Sequence, residues 1–153
     1  MTLTKPILLA EDNPRDAELA LAAMEEHHLA DKVILCHDGA EVLDYLYCRG
    51  HFKARLQGNP AVVLLDLKMP KVDGLEVLRT IKSDAALKPI PVVMLTSSRE
   101  ERDLVESYAL GANAYVVKPV EFHQLFNAVK DLGVFRGPIN EPPPEGASRV
   151  TNR

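Results

Sequence analysis

The stretch AVVLLDLKMP, residues 61–70, decides the fold of this 153-residue chain. Four branched apolar residues lead without interruption into one carboxylate, Asp66, and a Met-Pro pair follows closely. A short, continuous apolar run is typical of a strand that is buried on both faces, as in a parallel sheet covered by helices. Ligands bind at the carboxyl ends of such strands. We therefore predict that Asp66 lies in a functional cleft.

Composition places the chain among single-domain globular proteins. Apolar residues make up 46% of the sequence and charged residues 26%, and no apolar run reaches the ~20 residues of a membrane span. The net charge of -4 disfavours a nucleic-acid surface, because such domains concentrate Lys and Arg. The first residues lead into a strand without a secretory signal, which predicts a cytoplasmic protein. Cys36 and Cys48 fit neither a zinc motif nor a redox motif.

Apolar runs alternate with amphipathic segments along the chain. Short strands are predicted at residues 6–10, 33–36, 61–66, 89–96 and 114–117. Helices are predicted to begin at Asn13-Pro14, at the capping box 38–41, after Asp73-Gly74, at the capping box 98–101 and near Phe122. The second helix is expected to run to about Cys48 and the fourth to end at Gly111. This alternation predicts an α/β fold with a doubly wound, five-stranded parallel sheet and five helices.

Two segments depart from the alternation. Residues 49–60 contain two glycines, a proline and three basic side chains, which predicts a long loop with one helical turn at most. A recognition insertion and an ordinary surface loop both fit this segment. Prolines occur among polar residues after position 136, so we expect a folded domain of residues 1–136 and a flexible tail of residues 137–153. A tail this short cannot form a separate output domain, such as a DNA-binding or catalytic domain. We therefore predict that the protein acts through binding by its folded domain.

Four of the predicted strands end in side chains that can take part in catalysis or metal binding, namely Glu11-Asp12, Asp66, Thr96 and Lys118. The carboxyl ends of parallel strands meet at one edge of the sheet, so these side chains are expected to converge. Two carboxylates ~4 Å apart repel each other by about 4 kcal/mol at an effective dielectric of ~20, so a cation must accompany the cluster. Lys118 is one candidate, and Mg²⁺ held by oxygen ligands is the other.

An acid cluster with Mg²⁺, an ammonium and a hydroxyl contains the parts needed for phosphoryl transfer. Asp66 is the candidate acceptor, because a carboxylate can form an acyl phosphate. An aspartate-nucleophile phosphatase or phosphotransferase enzyme is the alternative function. Phosphatases of the haloacid dehalogenase type carry their nucleophile on the first strand in an Asp-x-Asp arrangement, whereas Glu11 and Asp12 are adjacent here and Asp66 is central.

These residues resemble the receiver domain of two-component response regulators. The resemblance covers about residues 5–132 and rests on the acidic pair, Asp66 with Met69-Pro70, Asp73-Gly74, Thr96, Tyr115 and Lys118-Pro119. It implies a flavodoxin-like fold with strand order 2-1-3-4-5, an order for which one member of this family is a known example. It also implies a phospho-accepting signalling protein rather than an enzyme with turnover.

The resemblance implies roles at the acidic cluster. Asp66 corresponds to the phosphorylated aspartate, Asp12 to a direct Mg²⁺ ligand, and Glu11 to a ligand that acts through water. The backbone carbonyl of Lys68 corresponds to a further protein ligand of the metal. Two features depart from the commonest pattern, because Glu11 stands where Asp is usual and Lys68 places a bulky cation at the cleft. Both bear on the lifetime of the phosphoryl group.

Further roles are implied at the last two strands. Thr96 and Lys118 correspond to the hydroxyl and ammonium that contact the phosphoryl group. Tyr115 corresponds to the aromatic switch residue that moves inward once Thr96 is drawn toward the phosphate. The Lys118–Pro119 peptide bond is expected to be cis, a form that is accessible before proline.

Three features together resemble the small single-domain regulators that serve phytochrome-type photoreceptor kinases: the insertion at residues 49–60, the entry to helix 2 at residues 38–41, and the expected absence of an output domain. The implied partner is a sensor histidine kinase, with bacterial phytochrome as the candidate. Such regulators are often dimers through the face formed by helix 4, strand 5 and helix 5. In this chain Tyr108, Phe122 and Phe126 are the predicted contacts, and Phe126 is also a candidate for the core.

Overall fold

The computed structural model describes residues 5–107 and 109–132. Five parallel strands form one sheet in the order β2-β1-β3-β4-β5, which confirms the predicted fold and strand order. The strands are β1 Ile7–Ala10, β2 Val33–Cys36, β3 Val62–Asp66, β4 Val92–Thr96 and β5 Ala114–Val117. The helices are α1 Pro14–Glu25, α2 Gly39–Leu46, α3 Gly74–Ser83, α4 Arg99–Ser107 and α5 Phe122–Val129. Short 3₁₀ turns occupy Ala30–Lys32, Gly50–Phe52 and Lys130–Leu132.

The sheet separates two apolar layers. Helices α1 and α5 pack on one face and form what we call the α1–α5 layer, which contains Leu64 and Leu95 from the central strands. Helices α2, α3 and α4 pack on the other face and form the α2–α4 layer, which contains Leu65 and Met94. Successive strand residues point to opposite faces, so the continuous apolar run of β3 supplies both layers in turn. Every residue of β3 is buried as a result.

Helix starts follow the predicted caps, but two helix ends differ from the prediction. Asn13 and Asp38 accept backbone N–H groups at the starts of α1 and α2. The second helix ends at Leu46, because Cys48 has a positive φ of 54° that a right-handed helix cannot contain. The fourth helix is described to Ser107, and a turn with φ of 51° at Ala109 follows it. The prediction that this helix continues to Gly111 was therefore wrong.

The loop of residues 49–60 contains one helical turn and is fastened at several points. The guanidinium of Arg55 lies 3.9 Å from the centre of the Tyr45 ring, and its Nε donates to the Tyr45 carbonyl at 2.7 Å. Farther along, the Asn59 side chain donates to the Ala86 carbonyl at 3.0 Å. These contacts tie the insertion to α2 and to the segment after α3. Its predicted form as a loop with a single helical turn is confirmed.

The predicted dimer contacts fall into the core or outside the described part of the chain. Phe122 is only 8% exposed, and its ring stacks on His27, in the turn after α1, with the ring centres 3.6 Å apart. The prediction of Phe122 as a surface contact was wrong, because the His27 ring covers it. Phe126 packs against the same α1–α5 layer. Tyr108 and the predicted tail of residues 137–153 lie outside the described residues.

Among the residues that the structure describes, no helix combines the length and the apolar character that crossing a bilayer requires.

Candidate functional site

The site lies at the carboxyl edge of the sheet and is centred on Asp66, the last residue of β3. Ala10 of β1 pairs with Leu65 of β3, so the residues that follow them, Glu11 and Asp66, are neighbours. Both carboxylates are buried, with 1% of Glu11 and 5% of Asp66 exposed. The parallel register therefore brings the predicted acidic residues of two strands into one place.

Glu11, Asp12 and Asp66 form an acidic cluster. One carboxylate oxygen from each lies within 4.8 Å of the others, and Asp12 is exposed to solvent. Burial raises the pKa of Glu11 to about 7, and the hydrogen bond and charge of Asp66 act in the same direction. The Asn13 N–H, which donates to Glu11 at 3.1 Å, and the charge of Lys118 only partly offset these effects. The cluster is therefore short of positive charge.

The ammonium of Lys118 enters this cluster from the end of β5. Its Nζ lies 2.9 Å from Asp16 Oδ2, 3.3 Å from Asp66 Oδ1 and 3.4 Å from Glu11 Oε1. Burial acts to lower the pKa of Lys118, but the hydrogen bond to Asp16 and the charges of Asp66 and Glu11 outweigh it, so the pKa is raised. Lys118 therefore remains charged.

Asp16 is a member of the site that the sequence analysis missed. It belongs to the first turn of α1 and lies one helical turn after Asp12, a spacing that places two residues on the same face. Asp12 lies before the helix, however, so this spacing did not firmly predict that Asp16 belongs to the site. The helix cap at Asn13 brings Asp16 toward the cleft, and only the fold reveals its contact with Lys118.

The hydroxyl of Thr96 is buried and has no hydrogen-bond partner among the described residues. Thr96 ends β4, in the strand next to Asp66, and its exposed fraction is 0%. A buried hydroxyl without a partner costs about 1–3 kcal/mol, so such groups persist where a ligand or a second state uses them. The hydroxyl is available for a further acceptor in the cleft.

Tyr115 lies on β5, the strand next to β4, and the Lys118–Pro119 peptide bond follows that strand. The Tyr115 ring is half-buried against the α2–α4 layer, and the Arg102 guanidinium of α4 lies 5.2 Å from its centre. Burial raises the pKa of the Tyr115 hydroxyl. The Lys118–Pro119 peptide bond is cis. The ring thus lies between β5 and α4, next to the strand that ends in Thr96.

An ion pair spans the mouth of the cleft. Lys68 Nζ lies 3.5 Å from Glu101 Oε2, and both residues line a cleft of about 190 Å³ together with Asp12, Asp66 and Lys118. Glu101 also accepts the Ser97 N–H at 2.8 Å, which lowers the pKa of its carboxyl group. The sequence identified Glu101 only as part of a capping box, and its place in the cleft was missed.

The start of α3 lies directly against the end of β3. The Gly74 N–H donates to the Leu67 carbonyl at 2.8 Å, and a side chain at Gly74 would overlap the Asp66 carbonyl. Asp73 caps the helix by accepting the Glu76 N–H at 3.0 Å. The Asp73-Gly74 pair therefore fixes the backbone at Asp66 and Leu67, which explains why both residues occur at this turn.

Strand alternation assigns the members of the site to different faces of the sheet. Asp66 follows Leu65 and shares the face of Leu64, which belongs to the α1–α5 layer. Thr96 follows Leu95 and shares the face of Met94, which belongs to the α2–α4 layer. Tyr115 packs in the same layer as Met94. The carboxylates and the Thr96 hydroxyl approach the cleft from opposite sides of the sheet.

The donor set fits a hard divalent cation. Carboxylate oxygens are the ligands that Mg²⁺ prefers, and it is usually held by one or two of them together with water and phosphate. Glu11, Asp12 and Asp66 offer three such groups, and the ammonium of Lys118 only partly balances their charge. With an ammonium and a hydroxyl beside it, the cleft can hold a tetrahedral anion attached to a carboxylate.

Comparison with known proteins agrees with this reading of the geometry. Residues 7–130 match the family model described as response regulator receiver domain. The chain is 37% identical over 131 residues to the response regulator Rcp1 of Synechocystis, which covers 86% of this chain and 88% of Rcp1.

Solved structures extend the comparison. The bacteriophytochrome response regulator AtBRR is 62% identical with a TM-score of 0.84, and the match covers 92% of this chain and all of that one. The phosphorylated cyanobacterial phytochrome response regulator RcpA is 41% identical with a TM-score of 0.67, over 84% of this chain and 90% of that one. A solved structure of Rcp1 in a Mn²⁺-bound form is 37% identical with a TM-score of 0.66, over 86% of this chain and 93% of that one.

Proposed function

Because this chain belongs to the response regulator receiver domain family, we propose that it accepts a phosphoryl group on Asp66 from a phosphohistidine of a sensor histidine kinase. The observation that carries the proposal is the position of Asp66, which belongs to the acidic cluster at one sheet edge and lies 3.3 Å from the Lys118 ammonium. Output then comes from binding of the phosphorylated domain to a partner protein. We place this reaction in the cytoplasm, as expected for a partner of histidine kinases.

The transfer is a displacement at phosphorus. An oxygen of the Asp66 carboxylate forms a bond to phosphorus, and the bond from phosphorus to the imidazole nitrogen breaks. The electron pair of that bond stays on the nitrogen of the departing histidine. The product is an acyl phosphate that carries more negative charge than the carboxylate did. Lys118 Nζ, 3.3 Å from Asp66 Oδ1, stabilises that charge, and the Thr96 hydroxyl donates to a phosphoryl oxygen.

Glu11, Asp12, Asp66 and the Lys68 carbonyl would hold Mg²⁺ in this proposal. The metal supplies a positive charge that offsets the oxygens of the transferred group. Asp12 contributes as the exposed carboxylate of the cluster, and Glu11 as the most buried one. This assignment agrees with the shortage of positive charge at the cluster.

Replacing Asp12 with Ala is expected to weaken Mg²⁺ binding by at least about tenfold, because one of three candidate carboxylates is lost. Titration calorimetry with MgCl₂ measures this change. Asp31→Ala serves as the matched control, since Asp31 is exposed and precedes β2, at the opposite edge of the sheet. Equal affinities of the Asp12→Ala and wild-type proteins would remove Asp12 from the metal site.

Incubation with acetyl phosphate distinguishes this proposal from the phosphatase alternative. We expect a plateau at one phosphoryl group per chain in the presence of Mg²⁺, because Asp66 is the only proposed acceptor. Intact-mass spectrometry follows the labelling, and a phosphate assay with a panel of phosphate esters follows turnover. Catalytic release of phosphate from many esters would favour the phosphatase function instead.

A phytochrome-type kinase is the proposed phosphodonor. The similarity to AtBRR and RcpA supports this choice, since both are phytochrome response regulators by name. The loop of residues 49–60 forms the surface before β3, and hydrogen bonds to the Tyr45 and Ala86 carbonyls hold it in place. Phosphotransfer from purified phytochrome kinases, compared with kinases of other sensor types, decides whether the preference exists.

Self-association through α4, β5 and α5 is the proposed assembly. With Phe122 buried, the exposed large apolar side chains on this face, among the described residues, are Leu104, 47% exposed, and Val117, 43% exposed on the edge strand β5. A two-fold interface uses the same patch twice, so one new charge faces its own copy across the interface.

Replacing Val117 with Glu is therefore expected to weaken dimerisation by about tenfold or more while phosphorylation of Asp66 stays near normal. Analytical ultracentrifugation at several concentrations measures the dimerisation constant. Leu56→Glu is the control, because Leu56 is 89% exposed but lies in the loop before β3. A wild-type protein that stays monomeric with and without phosphate would rule out the dimer.

A further inference from the structure

Asp16 makes the shortest ionic contact of Lys118. Its Oδ2 atom lies 2.9 Å from Nζ, whereas the acceptor Asp66 lies at 3.3 Å and Glu11 at 3.4 Å. The side chain of Lys118 is 15% exposed and that of Asp16 is 28% exposed. The strongest partner of the ammonium is thus a residue with no part in the proposed phosphoryl chemistry.

The three contacts account for all the hydrogen-bond donors of the Lys118 ammonium. A lysine Nζ has three N–H donors, and three carboxylates surround this one. Phosphorylation of Asp66 brings new anionic oxygens into the cleft, so Lys118 must give up a carboxylate to donate to one of them. Asp66 becomes part of the acyl phosphate itself, and Glu11 is almost fully buried. Asp16 is the most exposed of the three, so water replaces Lys118 there at the lowest cost.

We propose that Asp16 is a positioning residue that holds the Lys118 ammonium in the resting protein and releases it when Asp66 is phosphorylated. The inference rests on the proposed function, because release matters only if Asp66 carries a phosphoryl group. Asp16 thereby opposes phosphorylation, because its contact with Lys118 is lost in the phosphorylated state.

Removing Asp16 is therefore expected to strengthen binding of a phosphoryl mimic. Beryllofluoride, bound to Asp66 at saturating Mg²⁺, serves as the probe. We expect the Asp16→Asn and Asp16→Ala proteins to bind it about fivefold more tightly than wild type, the scale of one partly exposed ion pair. Glu18→Gln is the matched control, since it removes an exposed carboxylate from the same helix and should leave the affinity within twofold.

A purely structural role for Asp16 at the start of α1 predicts a different result. An acidic residue there stabilises the helix through its dipole, so its loss would lower the melting temperature without changing the affinity. The positioning role acts through Lys118, so in a Lys118→Ala background the Asp16→Asn change should improve affinity by less than twofold. An equal gain in both backgrounds would overturn the inference.

The NMR signal of the Lys118 ε-carbon gives a readout that does not depend on affinity. In the resting Asp16→Asn protein it should move toward its position in the beryllofluoride-bound wild type. An unchanged signal, or unchanged affinity in both Asp16 variants, overturns the role of Asp16 while the proposed function stands. Failure of the wild-type protein to bind beryllofluoride at Asp66 would instead contradict the proposed function.

Discussion

Replacing Asp66 with Asn is expected to abolish labelling by acetyl phosphate, with a loss of at least about 10²-fold in initial rate. The amide keeps the shape of the side chain but lacks the anionic oxygen that attacks phosphorus. Intact-mass spectrometry with Mg²⁺ present measures the labelling, and Asp31→Asn provides a control of the same chemistry at the opposite sheet edge.

The loss of labelling in the Asp66→Asn protein can be distinguished from misfolding by its melting temperature. Asp66 and Glu11 are buried carboxylates in contact, and Asp66 helps to raise the pKa of Glu11. Neutralising one of them removes repulsion, so the melting temperature of Asp66→Asn is expected to equal or exceed that of wild type. Full labelling of a folded Asp66→Asn protein would sink the assignment of the acceptor.

Replacing Thr96 with Val is expected to stabilise the protein and to break its response to phosphorylation. The Thr96 hydroxyl is fully buried without a partner among the described residues, so its removal should raise the free energy of unfolding by about 1 kcal/mol. Valine has nearly the same shape and suits a strand. Denaturant titration measures this gain in stability.

The functional effect of Thr96→Val is expected at Tyr115. In the proposed switch, a phosphoryl oxygen draws Thr96 and leaves space that the Tyr115 ring enters, which moves the ring from beneath Arg102. The ring signals of Tyr115 in NMR spectra should shift when beryllofluoride binds to wild type and remain fixed in Thr96→Val. A full shift in the variant would show that the hydroxyl does not transmit the signal.

The fold could be predicted from the sequence because its signals are local. The apolar run before Asp66 and the caps at Asn13, Asp38 and Asp73 depend on neighbours within a few residues. These signals gave the number of strands, the starts of the helices and the residues at the strand ends. The end of α4 was misjudged because the turn at Ala109 carries no strong residue signal.

The site could be predicted only in part, because some contacts depend on how helices pack against the sheet. Strand register brings Glu11 beside Asp66, and the sequence indicated both. The contact between Asp16 and Lys118 joins α1 to the end of β5, which are far apart in the chain. The burial of Phe122 by His27 arises in the same way. No short-range pattern reports such pairings, so residue type alone misplaced or missed them.

The alternation of faces along β3 and β4 has a consequence for how this protein can change over time. By strand alternation the carboxylates and Lys118 lie on the side of α1 and α5, whereas Thr96 and Tyr115 lie on the side of α2, α3 and α4. In the proposed function, the sheet therefore separates the residues that carry out phosphoryl transfer from those that transmit the change, and the Thr96 hydroxyl links the two sets. On that proposal we expect substitutions on α1 to change the lifetime of the phosphoryl group and substitutions on α4 to change the choice of partner, so that these two properties can evolve independently.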